Sequence, residues 1–184
     1  MKNDNHVFDL FNVTALVEKA HDGQVDKGGH PYIGHLERVL ARVRERLAAL
    51  PEGLVSPADQ EQALLLALGH DLLEDTSVTE EELRALGADD LFMRRLKLLS
   101  RLDKSSTYID WIWQLAASDD LVAIIVKLGD NEDNNDPARI AQLPEAERTI
   151  SQRYIRAHRV LSAALEHKLQ RSQEASPDNT VGGP

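Results

Sequence analysis

Gly69-His70-Asp71-Leu72-Leu73-Glu74-Asp75-Thr76 sets an adjacent His-Asp pair one helical turn before an adjacent Glu-Asp pair. Read as helix with His70 at zero, Asp71 lies near ~100°, Glu74 near ~40° and Asp75 near ~140°. The apolar Leu65, Leu66, Leu72 and Leu73 fall between roughly 200° and 320°. One face is greasy, and the opposite face carries an imidazole and three carboxylates. A solvated helix has no need of that pattern. It reads as a metal-binding face with further carboxylates placed to handle a water molecule.

The segments around it are helical too. No run alternates with period two, while apolar residues recur at helical spacing along most of the chain. Phe8 to about His21 is one amphipathic segment, and Asp22 to His30 is a loop with Gly23, Gly28 and Gly29. Pro31 opens a helix carrying Ile33, Leu36, Val39, Leu40, Val43 and Leu47. Ser56-Pro57 is a cap and first-turn proline for the helix leading to His70. Thr79-Glu80-Glu81-Glu82 is a capping box, and Gly87 ends its short helix. Helices are predicted over Leu91 to Leu99, Tyr108 to Ala117, Leu121 to about Leu128 and Glu145 to Gln170, with Asp130 to Pro137 an acidic helix end or loop. The sum is a single all-α domain over 1–171, a bundle of about eight or nine helices, with a disordered tail over 172–184.

Composition narrows the chemistry. The 184 residues carry 31 Asp+Glu against 21 Lys+Arg, a formal charge of −10. Duplex nucleic acid is a poor partner for such a chain, because phosphate backbones need a basic footprint. There is no cysteine, so any metal is held by His, Asp and Glu. No stretch reaches the ~18 uninterrupted apolar residues of a membrane span, and no leader peptide is apparent, so a cytoplasmic location without a membrane partner is expected. The composition leaves the oligomeric state open.

Two further ligands complete the set. His35 lies at the edge of its helix's apolar face. Asp130 follows the apolar run Leu121 to Leu128, and a carboxylate at the end of a buried helix is costly unless paired or metal-bound. Asp133 and Asp136 compete with it for that role. His35, His70, Asp71 and Asp130 make a two-nitrogen, two-oxygen set suited to Mn²⁺, Fe²⁺ or Zn²⁺.

The order His…His-Asp…Asp is similar to that of the HD-domain metal phosphohydrolases. Within that group, four blocks resemble the hydrolase domain of the RelA/SpoT family. They are Ala20-His21-Asp22-Gly23-Gln24, Gly29-His30-Pro31-Tyr32-Ile33-Gly34-His35, His70-Asp71-Leu72-Leu73-Glu74-Asp75-Thr76, and Val126-Lys127-Leu128-Gly129-Asp130 with Asn134 beyond it. The chain is shorter than a protein with the family's synthetase and regulatory domains, so it looks like a stand-alone small alarmone hydrolase. The resemblance implies removal of the 3′-pyrophosphate from a small alarmone nucleotide such as (p)ppGpp. It implies Mn²⁺ held by His35, His70, Asp71 and Asp130, with Glu74 and Asp75 acting on the water and Asn134 helping to hold the nucleotide.

One loop departs from the family pattern. Where the family has x-Arg-Lys-Ser-Gly-Glu-Pro-Tyr, this chain has Val25-Asp26-Lys27-Gly28-Gly29-His30-Pro31-Tyr32. Asp26 replaces the arginine that packs on the base. A carboxylate accepts a hydrogen bond from an exocyclic amine, so a changed base preference extending to (p)ppApp is expected, with Lys27 either meeting phosphate or lying at the surface. Two other functions compete: an HD phosphatase acting on another nucleotide, and a binding module that kept the metal and lost turnover. The retained Glu74-Asp75 pair speaks against the second.

Overall fold

The computed structural model describes residues 8–174, and among them every regular element is helical. In chain order these are α1 (Leu10–Ala20), α2 (Tyr32–Ala48), α3 (Pro57–Gly69), α4 (Leu72–Asp75), α5 (Glu80–Ala85), α6 (Asp90–Leu99), α7 (Tyr108–Ala117), α8 (Leu121–Asn134), α9 (Pro137–Gln142) and α10 (Ile150–Glu174). A 3₁₀ turn, Glu145–Glu147, precedes α10. The starts follow side-chain chemistry. The Asp9, Ser56, Thr79, Asp89, Thr107, Asp120 and Asp136 side chains each accept a backbone N–H of the first turn they precede. Each such cap contributes about 1 kcal/mol. Thr79 and Thr107 close full capping boxes with Glu82 and Asp110.

The centre of the bundle is α8. From Val122 to Asp130 every residue is buried, so this helix is enclosed on all sides. It packs against α2, α3, α6, α7 and α10. Gly129 lets α8 lie close against α2: a Cβ there would meet Val43 Cγ2 at 3.0 Å. Gly129→Ala therefore lowers stability by about 1–3 kcal/mol through overpacking, read as a shift in the urea midpoint.

The structure revises four sequence-based boundaries. The helix through His70 is not continuous. α3 stops at Gly69, Asp71 has φ −99° and ψ 0°, and α4 starts afresh at Leu72. The helical-wheel angles for His70 to Asp75 therefore do not hold. α8 extends to Asn134 rather than ending near Leu128, because the acidic residues that looked like a terminus have cationic partners along the way. α9 falls where the acidic segment predicts a helix end or loop, and Asp136-Pro137 is its cap and first-turn proline. Finally, α10 begins at Ile150 instead of Glu145 and runs through Ser172 to Glu174, where a tail had been expected. The remaining tail, 175–184, lies outside the described residues.

Candidate metal centre and active site

Three segments distant in sequence meet at one point. His35 projects from the first turn of α2, His70 and Asp71 from the α3–α4 joint, and Asp130 from α8. The break between α3 and α4 lets consecutive residues aim at the same place. One ligand atom from each of His35, His70 and Asp71 lies within 4.8 Å of the others. His70 Nε2 is 2.9 Å from Asp71 Oδ2 and 3.5 Å from Asp130 Oδ1. His35 Nε2 is 3.8 Å from Asp71 Oδ2 and 3.4 Å from Asp130 Oδ1. Donors held ~2.1 Å from a shared ion at octahedral or tetrahedral angles sit about 3.0–3.4 Å apart, so this spacing suits a divalent cation.

The histidine tautomers agree. His70 Nδ1 lies 3.0 Å from the Ala67 carbonyl and can meet it only as a donor. That turns the Nε2 lone pair inward, where the atom is buried without a hydrogen-bond partner. An orphaned nitrogen facing two carboxylates is what a metal ligand leaves. Burial alone would lower the His70 pKa, yet Asp71 and Asp130 push it up to about 10. The field that favours a proton on Nε2 equally favours a cation. His35 Nδ1 is 2.7 Å from Asp133 Oδ2, which likewise points Nε2 at the centre.

Around these four side chains stands a shell that holds them. Lys127 Nζ, buried within the core, is 2.7 Å from Asp130 Oδ2 and lies 4.5 Å above the Trp111 ring. Burial raises the Asp130 pKa, but the Lys127 charge and the two imidazoles carry it well below the ordinary value. The Tyr32 hydroxyl donates to Asp71 Oδ2 at 2.5 Å and lies 3.4 Å from Asp75 Oδ2. His21 stacks on the Tyr32 ring at 4.8 Å and bonds Gln24, whose amide reaches the Asp75 carbonyl at 3.0 Å. Asn134 Nδ2 donates to Asp130 Oδ1.

Asp133 was weighed in the sequence only as a rival to Asp130. It is instead a buried hub that accepts from His35, from Arg38 at 2.7 Å and from Arg139. Burial opposes ionisation, but the His35 hydrogen bond and the two arginines bring its pKa from 3.8 to about 2. A lowered carboxylate pKa contributes stability that is present above the unfolded value and lost as pH falls through the folded one. The Asp133 contribution is therefore full above pH 3.8 and lost toward pH 2. Asp133→Asn removes that acid-limb dependence from the unfolding curve. It also weakens metal affinity by ~10–100-fold, measured by competition with a chelating dye.

The two residues of the Glu-Asp pair part company. Glu74 Oε2 accepts the Arg101 backbone N–H at 2.9 Å, tying α4 to the segment after α6. Asp75 opens to the cavity, and desolvation together with the Asp71 charge raises its pKa. The cavity over the centre has a volume of about 370 Å³. Its lining brings His35, Asp71, Glu74, Asp75 and Asp130 together with Lys27, Arg101, Arg139, Arg153 and Tyr154. Lys27 Nζ and Arg153 Nη2 both reach the Tyr154 hydroxyl, at 3.1 and 3.2 Å. Arg139, Arg153 and Tyr154 carry no local signal: Arg139 lies on the short α9, and Arg153 and Tyr154 lie on α10, whose pattern is that of a plain closing helix.

Asp26 has surroundings other than those expected. Its side chain is 4% exposed. Oδ1 accepts the backbone N–H groups of Gly28 and His30 at 2.9 and 3.1 Å, and Oδ2 accepts from Arg139 at 2.9 Å. The carboxylate is spent on closing its own loop and anchoring α9, so it is not a free acceptor for a base amine. Gly28 belongs to the same arrangement: a Cβ there would crowd Asp26 Oδ1 at 3.2 Å.

No protein-family model matches this chain, and no curated protein matches it. A solved structure does. It is described as a metazoan ortholog of SpoT that hydrolyzes ppGpp and plays a role in starvation responses. It aligns over 94% of this chain and 97% of its own, with a TM-score of 0.62 and 19% sequence identity. The fold is thereby the all-α bundle of that structure. No helix among the described residues is long and apolar enough to cross a membrane.

Proposed function

We propose that this protein is a metal-dependent hydrolase that removes the 3′-pyrophosphate from alarmone nucleotides, (p)ppGpp or (p)ppApp, releasing pyrophosphate. The observation that carries the reading is the buried His35-His70-Asp71 group with Asp130 within 3.5 Å of both imidazoles, at a cavity whose lining also holds Lys27, Arg101 and Arg153. The likeness in fold to a ppGpp hydrolase supports it. His35, His70, Asp71 and Asp130 hold the ion, for which Mn²⁺ is proposed and another divalent transition metal fits the same donors. The ion supplies Lewis acidity toward the phosphoryl oxygens and makes water a better nucleophile.

The chain's own groups do the rest. Asp75 accepts the proton of the attacking water, being the carboxylate at the cavity with the raised pKa. Glu74 fixes α4 so that Asp75 stays on that side. Tyr32 holds Asp71 and Asp75 in register. Lys27 and Arg153, convergent on Tyr154, receive phosphate charge across the cavity, and Asn134 serves the nucleotide from the same helix as Asp130. The location proposed is the cytoplasm.

The test is product analysis. Mn²⁺-loaded protein is incubated with 3′-pyrophosphorylated guanine and adenine nucleotides. Release of pyrophosphate with a nucleoside 5′-diphosphate or triphosphate is expected. Orthophosphate as the only product would replace this reading with a phosphatase, and no turnover on any nucleotide would leave a binding module.

A further inference from the structure

Glu74 and Asp75 stand on α4, a helix of a single turn. One turn has too few internal hydrogen bonds to hold its own shape, so its aim is set by what grips it from outside. Glu74 provides one grip, on the Arg101 N–H. The other is at the C-terminal end, where a helix leaves carbonyls over. The Asp75 carbonyl there accepts the Gln24 side-chain amide at 3.0 Å. A carbonyl only accepts, so the Gln24 NH₂ faces Asp75 and its Oε1 faces His21. The 2.8 Å contact of that oxygen with His21 Nδ1 therefore places the imidazole proton on Nδ1. Gln24 is partly exposed and has no other side-chain anchor on its own loop, so His21 is what fixes it.

His21 is a firm support. It caps α1, whose Val13 and Val17 are buried in the core, and is itself 4% exposed. Its ring stacks on Tyr32 with planes 17° apart, and the Gln24 carbonyl accepts the Tyr32 backbone N–H at 3.0 Å. The Tyr32 hydroxyl in turn reaches the Asp75 carboxylate. Asp75 is thus held at main chain and side chain, and both lines pass through His21. A ring that only filled space would be better without Nε2, which is buried with no hydrogen-bond partner. The gain of an imidazole over an apolar ring lies at Nδ1.

We infer that His21 is a positioning residue for the hydrolytic step: through Gln24 and Tyr32 it holds α4 so that the Asp75 carboxylate faces the attacking water. The inference rests on the hydrolase reading of the site, in which Asp75 is the proton acceptor, and deepens it.

Two variants of the full-length protein separate the arms. His21→Phe keeps a ring on Tyr32 and loses the Nδ1–H. His21→Asn loses the ring and sets an amide N–H near the place of Nδ1. With Mn²⁺ and a 3′-pyrophosphorylated nucleotide, His21→Phe is expected to lower kcat ~10²-fold with KM within ~3-fold of the parent's. His21→Asn is expected to recover ~10-fold of that loss. The Mn²⁺ affinity and the urea midpoint of His21→Phe are expected to match the parent's. NMR reads the same coupling without turnover. The Thr76 N–H shares its peptide group with the Asp75 carbonyl, so its resonance is expected to move in His21→Phe and to return toward the parent position in His21→Asn.

A His21→Phe kcat within ~3-fold of the parent's would overturn the inference, as would a loss matched by a fall in Mn²⁺ affinity or urea midpoint. So would a His21→Asn variant no more active than His21→Phe, or a Thr76 resonance indifferent to both substitutions. Such a failure leaves pyrophosphate release by the unaltered protein untouched. If the unaltered protein turns over no nucleotide, the hydrolase reading fails, and the Thr76 resonance still decides whether His21 governs Asp75.

Discussion

Asp75→Asn lowers kcat on a 3′-pyrophosphorylated nucleotide by ~10²–10⁴-fold and leaves metal affinity unchanged. The substitution preserves size and the contact with the Tyr32 hydroxyl, which lies 3.4 Å from Asp75 Oδ2, but removes the proposed proton acceptor. Asp75 is not within the metal-ligating group, so the ion stays. Glu74→Gln is the paired control. Its carbonyl still accepts the Arg101 N–H that Glu74 holds at 2.9 Å, so its loss is smaller than that at Asp75. Steady-state kinetics with calorimetric Mn²⁺ titration separates the two effects. Full turnover by Asp75→Asn would move the base elsewhere.

Lys127→Met costs about 3–5 kcal/mol in the metal-free protein. The stem's length is retained, while the ammonium 4.5 Å above the Trp111 ring goes with the charge. What is lost is the cation 2.7 Å from Asp130 Oδ2 inside the core. An uncompensated buried carboxylate is among the costliest defects a fold carries. Burial lowers the Lys127 pKa, but Asp130, Tyr108 and Asp71 reverse this and hold it above its ordinary value, so the charge is present at neutral pH. A divalent cation beside Asp130 supplies positive charge from its other side. Mn²⁺ is therefore expected to restore more stability to the variant than it adds to the parent, measured as paired urea midpoints. Equal midpoints for parent and variant without metal would refute the electrostatic role of Lys127.

The helices and their caps were readable because local chemistry determines them. Ser56-Pro57 and Thr79–Glu82 state their own starts, and α7 has the bounds its pattern gives. Trp111 and Trp113, two apart, divide as required: one is 8% exposed and the other 59%. The histidines and Asp71 were legible through their order, and the structure brings them together. What escaped was whatever depends on partners distant in sequence. The acidic run after Leu128 reads as a helix end, since nothing local shows that Lys127, Arg38 and Arg139 neutralise it. Asp26 reads as a free carboxylate for the same reason: its partner Arg139 lies on a helix the pattern did not reveal. A faint signal existed at Lys127, a lysine inside an apolar run and one turn before a carboxylate. The interruption after Gly69 has no sequence mark such as proline; it coincides with the contacts of the Asp71 side chain with Tyr32 and His70.

The proposed donors stand on α2, at the end of α3 and on α8, which pack on one another at the heart of the bundle. None of them hangs on an excursion of chain that can swing aside. An ion gripping all three walls is released on the timescale of whole-molecule opening or through the cavity mouth, with no local melting in between. Amide hydrogens at 126–130 should therefore exchange only through global unfolding, and Mn²⁺ should slow them in proportion to its occupancy.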